Sequence, residues 1–221
     1  MNARDEILSR LSAVRKKSVS PRPDLPPLRE LSLTQEERIE TFSRNLREET
    51  GVVHRVPDNP GALDQLTEIA EEEGLKTVLV SEDDVLATLN LSDWGKINRV
   101  RVLTAGMFPS RDSYKDAAFA EADAGITGAD FAVAESGTLV LVHDPKQSRL
   151  ISLAPILHIA IVPAERVVAV YEDAIRRIFD QRRNLPSQIS FITGPSTTAD
   201  IESTLFKGMH GPKKIHVILV G

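Results

Sequence analysis

Apolar residues fall into short runs that alternate with amphipathic segments along this chain. The runs are rich in valine, isoleucine and leucine and predict β-strands at residues 52–56, 76–81, 100–104, 138–142, 156–162, 188–193 and 215–220. Between them, apolar residues recur every three or four positions, which predicts helices at residues 63–70, 85–89, 113–121 and 167–179. Strands and helices that take turns in this way imply right-handed crossovers and a largely parallel sheet covered on both faces. We therefore expect an α/β fold.

The N-terminal part has a different pattern. An apolar stripe at helical spacing over residues 7–14 predicts a helix, and four prolines then crowd residues 21–27. Such a stretch favours extended backbone and cannot continue a helix. Thr34 and Glu37 then form a capping-box pattern that predicts the start of the next helix. We therefore divide the chain into an N-terminal helix with a proline-rich linker, residues 1–33, and one α/β domain, residues 34–221.

Composition and charge narrow the classes of function. The formal net charge of -5 argues against broad nucleic-acid binding, which needs a clustered excess of Lys and Arg. No apolar run approaches the roughly 20 residues of a spanning helix, and the first residues lack the apolar segment of a signal peptide. We therefore expect a cytoplasmic protein with no membrane span. The sequence has no cysteine, which removes disulfides, thiol nucleophiles and cysteine-ligated iron–sulfur clusters, so any redox centre must belong to a partner or be bound noncovalently.

The first candidate site is the glycine-rich stretch at residues 125–138. Glycines let backbone approach a ligand closely, and consecutive N–H groups in such turns can bind an anion. The candidate ligand-binding residues here are Gly125, Thr127, Gly128, Asp130, Ser136, Gly137 and Thr138. The competing interpretation is that the glycines only shape tight turns and that Asp130 only forms one. Spacing alone leaves both interpretations open.

Glu135 is the candidate catalytic residue, because it stands between two apolar segments and directly before Ser136. A carboxylate at a strand end can act as a nucleophile or general base. It can equally well accept hydrogen bonds from nearby backbone N–H groups, and the sequence does not decide between these roles.

The second candidate site, residues 193–200, follows a predicted strand and precedes a short helix expected at residues 201–205. A strand, a glycine turn and a hydroxyl-rich helix start present free N–H groups to phosphate or carboxylate. Helix capping explains one such residue but hardly four. The candidates here are Thr193, Gly194, Ser196, Thr197, Thr198 and Asp200, with His210 on a later glycine-flanked loop that either faces the ligand or forms a plain turn.

Several familiar signatures are missing from the sequence. The histidines show no HxxxH or HExxH spacing, so no zinc or other metal site is predicted, and His158 within an apolar run is expected to be a hydrogen-bonded core residue. The glycine fingerprint of dinucleotide-binding folds, the P-loop and the GxSxG motif of hydrolases are also missing.

Four blocks of the sequence carry a family resemblance. GITGADFAVAESGTLVL, SLAPILHIAIV, ITGPSTTADIE and HGPKKIHVILVG resemble successive blocks of the lactate utilization protein C family, also called the LUD domain, over roughly the last hundred residues. The resemblance implies a three-layer α/β fold similar to the sugar-phosphate isomerase and coenzyme A transferase superfamily, with a mostly parallel open sheet. The N-terminal helix and linker form an N-terminal helical arm to this fold and are compatible with the family in order and length. It also implies that the two candidate loops converge on one cleft.

The same resemblance implies a function. The family is linked to oxidation of L-lactate to pyruvate, where this chain is similar to a small accessory or ligand-binding subunit that acts beside iron–sulfur proteins and holds a small carboxylate or phosphate. Larger LUD relatives carry ferredoxin-like cysteine motifs that this chain lacks, so we expect no iron–sulfur cofactor in it.

Two alternatives to this function stay open, and with them whether the chain is an enzyme. One is a free-standing enzyme acting on an acyl-CoA or a sugar phosphate, because Glu135-Ser136-Gly137 is similar to the catalytic glutamate motif of coenzyme A transferases, with serine in place of the usual asparagine. The other is a regulatory domain that senses a small anion.

Overall fold

The computed structural model describes residues 3–13, 31–181, 186, 188–199, 205–207 and 210–221. The helices in these ranges are α1 (Ala3–Ala13), α2 (Gln35–Glu48), α3 (Asn59–Glu72), α4 (Leu91–Asn98), α5 (Arg111–Ala120), α6 (Leu150–Leu153) and α7 (Tyr171–Gln181). The strands are β1 (Val52–Val56), β2 (Thr77–Val80), β3 (Arg101–Leu103), β4 (Ala124–Gly128), β5 (Phe131–Val133), β6 (Thr138–His143), β7 (Leu157–Pro163), β8 (Val167–Val168), β9 (Gln188–Ile192), β10 (Thr197–Ala199), β11 (Leu205–Lys207) and β12 (Lys214–Val220).

The larger sheet has six strands in the order β1-β12-β7-β4-β2-β3, and every neighbouring pair is parallel. All residues of β2 and β4 are buried, as expected for strands covered on both faces. The mostly parallel open sheet predicted from the sequence is therefore confirmed. Each of its strands was predicted except β4, which lies in the stretch that was expected to be a glycine-rich loop.

The fold has three layers, with the six-stranded sheet in the middle. Helices α3 and α4 pack on one face of the six-stranded sheet, burying Leu66, Ile69 and Trp94 against it. On the other face, α5 and α6 cover β2 and β4, while α2 and a second sheet cover β1, β12 and β7. The predicted capping box of α2 is present, with the Thr34 side chain accepting the Glu37 N–H and the Glu37 carboxylate accepting the Thr34 N–H.

The second sheet was not predicted. It has four strands in the order β8-β5-β6-β9, and α7 packs on its outer face through Ala174 and Ile178. Only Ala129 and Asp130 separate β4 from β5, so the chain passes directly from one sheet into the other. The three-residue strand β5 is too short to show a period of its own within the glycine-rich stretch.

Two predicted helices differ in the structure. Val167–Val168 is strand β8, which pairs with β5, so α7 begins at Tyr171 rather than at residue 167. The helix predicted at residues 85–89 is a single 3-10 turn, Leu86–Thr88, and the longer helix α4 follows it. Asn90 separates the two with a left-handed φ of 44°, which interrupts a continuous helix.

The prediction of a helix at residues 201–205 is wrong at residue 205, the only one of these residues that the structure describes. Thr197–Ala199 pairs with Leu205–Lys207 as a two-stranded antiparallel ribbon, and residues 201–204 lie outside the described residues. The predicted N-terminal helix is α1, whereas the proline-rich linker also lies outside the described residues. Within the described ranges, none of the helices combines the length and apolar character needed to cross a bilayer.

Candidate functional site

A cavity of about 600 Å³ lies where the two sheets meet, at the carboxyl ends of β2 and β4. Open α/β sheets bind their ligands outside this edge of the sheet. The turn after β2, the link from β4 to β5, the loop after β6, the loop after β7 and helix α7 all contribute to the lining. Its charged residues are Asp83, Asp84, Asp130, Asp144, Lys146, Glu165, Arg166 and Arg177.

Asp83 ties the end of β2 to the end of β4. Its Oδ1 accepts the N–H groups of Val85 and Leu86 at 3.0 Å each, and its Oδ2 accepts the Gly128 N–H at 2.9 Å and the Ser81 hydroxyl. A Cβ atom at position 128 would collide with this carboxylate, so glycine is needed there. A carboxylate accepts about four hydrogen bonds, so these four contacts within the protein use all the acceptor sites of Asp83.

Arg166 brings the loop after β7 to the same cavity. Its Nη2 donates to Asp84 Oδ2, and its Nη1 lies 3.3 Å from the carbonyl oxygen of Ala129. The hydrogen bond from Arg166 lowers the pKa of Asp84, so this carboxylate is ionised at neutral pH. Arg166 and Asp84 therefore neutralise each other's charge at the cavity wall.

Lys146 and Arg177 are the other two cations of the lining. In the part of the chain that the structure describes, neither has a carboxylate within salt-bridge distance. Arg177 extends from α7 with its guanidinium carbon 6.0 Å from the centre of the Phe131 ring. Lys146 lies in a turn where Asp144 Oδ1 accepts the N–H groups of Lys146 and Gln147, at 2.8 Å and 3.0 Å.

A buried histidine holds this turn in place. His143 Nδ1 is 3.1 Å from the carbonyl oxygen of Gln147, and its Nε2 is 2.7 Å from Ser190 Oγ. Burial lowers the pKa of His143, so the neutral ring donates from Nδ1 and accepts the serine hydroxyl at Nε2. The Gln147 side chain in turn donates to the carbonyl oxygen of Gly128 at 2.6 Å.

The hydroxyl groups predicted from the two loops meet in a cluster outside this cavity lining. Ser136 Oγ donates to Tyr171 Oη at 3.0 Å and lies 2.8 Å from Thr138 Oγ1, while Thr138 Oγ1 lies 2.7 Å from Tyr171 Oη and also bonds Thr193 Oγ1. Four hydroxyl protons therefore serve four hydrogen bonds inside the cluster. In this arrangement the cluster connects β6, β9 and α7, and none of its hydroxyl groups has a proton left to donate to a ligand.

Glu135 lies beside the hydroxyl cluster and does not line the cavity. Its Oε1 accepts the Tyr171 N–H at 2.9 Å, at the N-terminus of α7. A carboxylate in this position satisfies a free N–H and interacts favourably with the helix dipole. The contact matches the second interpretation of this residue, a carboxylate bonded to backbone donors.

Gly137 and Gly194 both allow the chain to pass close to the end of α2. Gly137 has φ 65° and a Cβ there would collide with the backbone of Leu46, while Gly194 has φ 79° and its Cβ would come within 2.6 Å of the Glu49 carbonyl oxygen. Asn45 fixes the same contact by donating to the Ala134 carbonyl oxygen at 2.8 Å. These two glycines thus serve packing and turn geometry.

Gly125 and Thr127 lie inside the six-stranded sheet. A Cβ at position 125 would collide with the carbonyl oxygen of Ile151 in α6, so glycine allows that helix to pack on the sheet. Thr127 Oγ1 is 2.9 Å from His158 Nε2, and both residues are fully buried. The expectation that His158 is a hydrogen-bonded core residue is confirmed.

The rest of the second loop follows the ribbon of β10 and β11. Ser196 donates its N–H to the Pro212 carbonyl oxygen, Thr197 and Thr198 belong to β10, and Asp200 lies outside the described residues. His210 is exposed on the loop that leads to β12. Of the predicted ligand-binding residues, the structure therefore brings Gly128 and Asp130 to the cavity. Nowhere in the described ranges do three or more side chains of the metal-binding types converge.

Comparison with known proteins places this architecture in a family. The model of the LUD domain matches residues 39–220, which include both sheets and every segment that lines the cavity. The chain belongs to the LUD domain family.

Bacterial LUD proteins share up to about two fifths of the aligned residues with this chain. It is 38% identical over 158 residues to lactate utilization protein C of Shouchella clausii, which covers 70% of this chain and 67% of that protein. It is 44% identical over 103 residues to lactate utilization protein C of Oceanobacillus iheyensis, covering 45% of this chain and 44% of that protein. The chain thus spans about half the length of some of the curated relatives that it matches.

A solved LUD-type structure shares the fold. The crystal structure of a DUF162 family protein from Deinococcus radiodurans superimposes with a TM-score of 0.62 at 24% identity, and the match covers 86% of this chain and 99% of that chain. The three-layer α/β arrangement is therefore a property of both proteins.

Most charged residues of the cavity lining were not predicted from the sequence as ligand-binding residues. The pair Asp83-Asp84 lies just beyond a buried strand, after Ser81 and Glu82, and this position near a strand end is a signal that could have marked it. Lys146, Arg166 and Arg177 carry no such signal, because they come from two loops and a helix that only the second sheet brings together.

Proposed function

We propose that this chain is an accessory, ligand-binding component of a system that oxidises L-lactate to pyruvate. The names of its relatives from Shouchella clausii and Oceanobacillus iheyensis support the pathway. The cavity at the carboxyl edge of the larger sheet supports the ligand-binding role.

The charge distribution of the cavity is the observation that carries this proposal. Asp83, Asp84 and Asp144 accept hydrogen bonds from the protein itself. Lys146 and Arg177, in contrast, have no ion-pair partner among the described residues. Asp130 likewise accepts the Val142 N–H, so every acid of the lining except Glu165 is bonded to the protein. Two unpaired cations among acids that are mostly engaged favour an anionic ligand, either a carboxylate or a phosphate.

The redox step belongs to partner proteins in this proposal. Oxidation of lactate to pyruvate releases two electrons and two protons, and the sequence has no cysteine that could hold an iron–sulfur cluster. Iron–sulfur proteins of the same system accept the electrons, while this chain binds an anionic ligand that the system requires.

Deletion and complementation in the native host test the proposal. We expect a strain without this protein to lose growth on L-lactate but not on glucose, and the wild-type gene to restore it. A variant with both Lys146→Gln and Arg177→Gln should fail to restore growth, whereas Arg176→Gln should succeed, because Arg176 is exposed on the same helix and does not line the cavity. Iron–sulfur proteins should copurify with the tagged chain from lactate-grown cells. Normal growth of the deletion strain on L-lactate would refute the proposed role.

A further inference from the structure

The size of the cavity bears on which ligand it holds. A water molecule takes up about 30 Å³, so a three-carbon acid with six non-hydrogen atoms needs less than about 180 Å³. The cavity measures about 600 Å³, within the range of roughly 300 to 1,000 Å³ that holds ligands of drug or cofactor size. Lactate or pyruvate alone would leave most of this space to water.

The cations of the cavity lining suit a phosphate better than a single carboxylate. Lys146 and Arg177 together offer two positive charges, and neither is neutralised by a carboxylate in the described part of the chain. A phosphate monoester carries about -1.5 to -2 charges at neutral pH, whereas a carboxylate carries one. Arginine also binds phosphate oxygens through two parallel N–H groups.

The remaining lining suits a ligand with an apolar, planar part and hydroxyl groups. Phe131, Val142 and Ile178 belong to one packed cluster and form the apolar part of the lining, the apolar floor, and the Arg177 guanidinium lies over the Phe131 ring. Glu165 is exposed at the cavity and can accept hydrogen bonds from sugar hydroxyls. We infer that the cavity binds a nucleoside phosphate, with the phosphate at Lys146 and Arg177 and the base over the apolar floor. This inference names the ligand class of the site described under the proposed function and rests on its ligand-binding role.

Such a site explains why the usual nucleotide signatures are missing from the sequence. In those folds, glycine-rich loops and helix N-termini bind phosphate through backbone N–H groups. Here the Gly128 N–H donates to Asp83, and the N-terminus of α7 is capped by Glu135. Side chains from the loop after β6 and from α7 supply the phosphate contacts instead.

Isothermal titration of the full chain with AMP, inorganic phosphate, L-lactate and pyruvate tests the inference. We expect AMP to bind at least tenfold more tightly than any of the other three. Lys146→Gln and Arg177→Gln should each weaken AMP binding at least tenfold, while Arg176→Gln should leave it unchanged. Both cavity cations are exposed, so the variants should keep the wild-type circular dichroism spectrum and Tm.

Three results would overturn the inference: AMP does not bind, L-lactate or pyruvate binds as tightly as AMP, or AMP binding is the same in both cavity variants as in the wild type. The growth experiment separates this inference from the proposed function. If growth on L-lactate requires the protein but AMP does not bind, the nucleotide inference alone fails. If AMP binds in the cavity but the deletion strain grows normally on L-lactate, the proposed function alone fails.

Discussion

The stability of this protein should fall as the pH drops from 6.5 toward 4, and His158 should account for a large share of that loss. His158 lies on β7, is 0% exposed, and contacts Thr127 through Nε2. Its Nδ1 has no hydrogen-bond partner among the described residues. Burial, and to a smaller extent the nearby His143, lowers the pKa of His158 from 6.5 to about 4.

The magnitude follows from the two pKa values. In the unfolded chain the imidazole regains its ordinary pKa of 6.5, so below this pH the unfolded state binds more protons than the folded state. The contribution of the neutral ring is thus complete above pH 6.5 and is lost as the pH falls to about 4. At about 1.4 kcal/mol for each pKa unit, the whole window corresponds to about 3 kcal/mol, of which about 2 kcal/mol is lost between pH 7 and pH 5. Since a domain is stable by about 5 to 15 kcal/mol, this loss is readily measured.

Urea unfolding of the wild type and of His158→Gln at pH 7, 6 and 5 provides the assay. Glutamine can keep the hydrogen bond to Thr127 but does not titrate, so the fall in the free energy of unfolding between pH 7 and pH 5 should be about 2 kcal/mol smaller in this variant. Some dependence should remain, because burial also lowers the pKa values of His54, His143 and His216. His210→Gln is the control, since that side chain is exposed. An equal pH dependence in the wild type and in His158→Gln would refute the reasoning.

The remaining predictions concern residues of the glycine-rich stretch, 125–138. Gly125→Ala should lower the free energy of unfolding by about 1 to 3 kcal/mol or more, because the added Cβ meets a backbone carbonyl of α6. Gly106 has open space around it, so Gly106→Ala should change the free energy of unfolding by less than about 0.5 kcal/mol. Urea titrations measure both changes. Glu135→Gln should cost about 0.5 to 2 kcal/mol and lower the Tm, because it weakens the cap on the Tyr171 N–H; an unchanged Tm would show that this contact is not stabilising. Thr138→Val should lower the free energy of unfolding by about 1 to 3 kcal/mol in the same assay, since it removes the hydroxyl that three other hydroxyls contact. A wild-type stability would contradict the hydrogen bonds assigned to the Thr138 hydroxyl in the cluster.

Most of the larger sheet could be predicted from the sequence because its central strands are buried on both faces. Such strands are nearly continuous apolar runs, and β7 and β12 are the clearest examples. The start of α7 could not be predicted in the same way. Residues 167–170 are apolar at positions that fit both a helix and a buried strand, and only the pairing of β8 with β5 decides between them.

The candidate site was harder to predict, because glycine and hydroxyl residues serve packing as well as ligand binding. Gly125, Gly137 and Gly194 each lie where another backbone segment passes too closely for a side chain. Spacing in one sequence does not distinguish such a contact from the approach of a ligand. The distinction needs the position of the neighbouring backbone, here α6 and the end of α2.

The two-residue link between the sheets explains why the cavity residues are scattered along the chain. Because β4 continues into β5 through Ala129 and Asp130, the second sheet begins at the carboxyl edge of the first, and its helix α7 lies over that edge. Asp130 Oδ2 accepts the Val142 N–H at 2.8 Å, which fixes the angle of the link against β6. The positions of Lys146 and Arg177 therefore depend on how the second sheet is set against the first. A change that loosens this link should disturb ligand binding even though it removes neither cation.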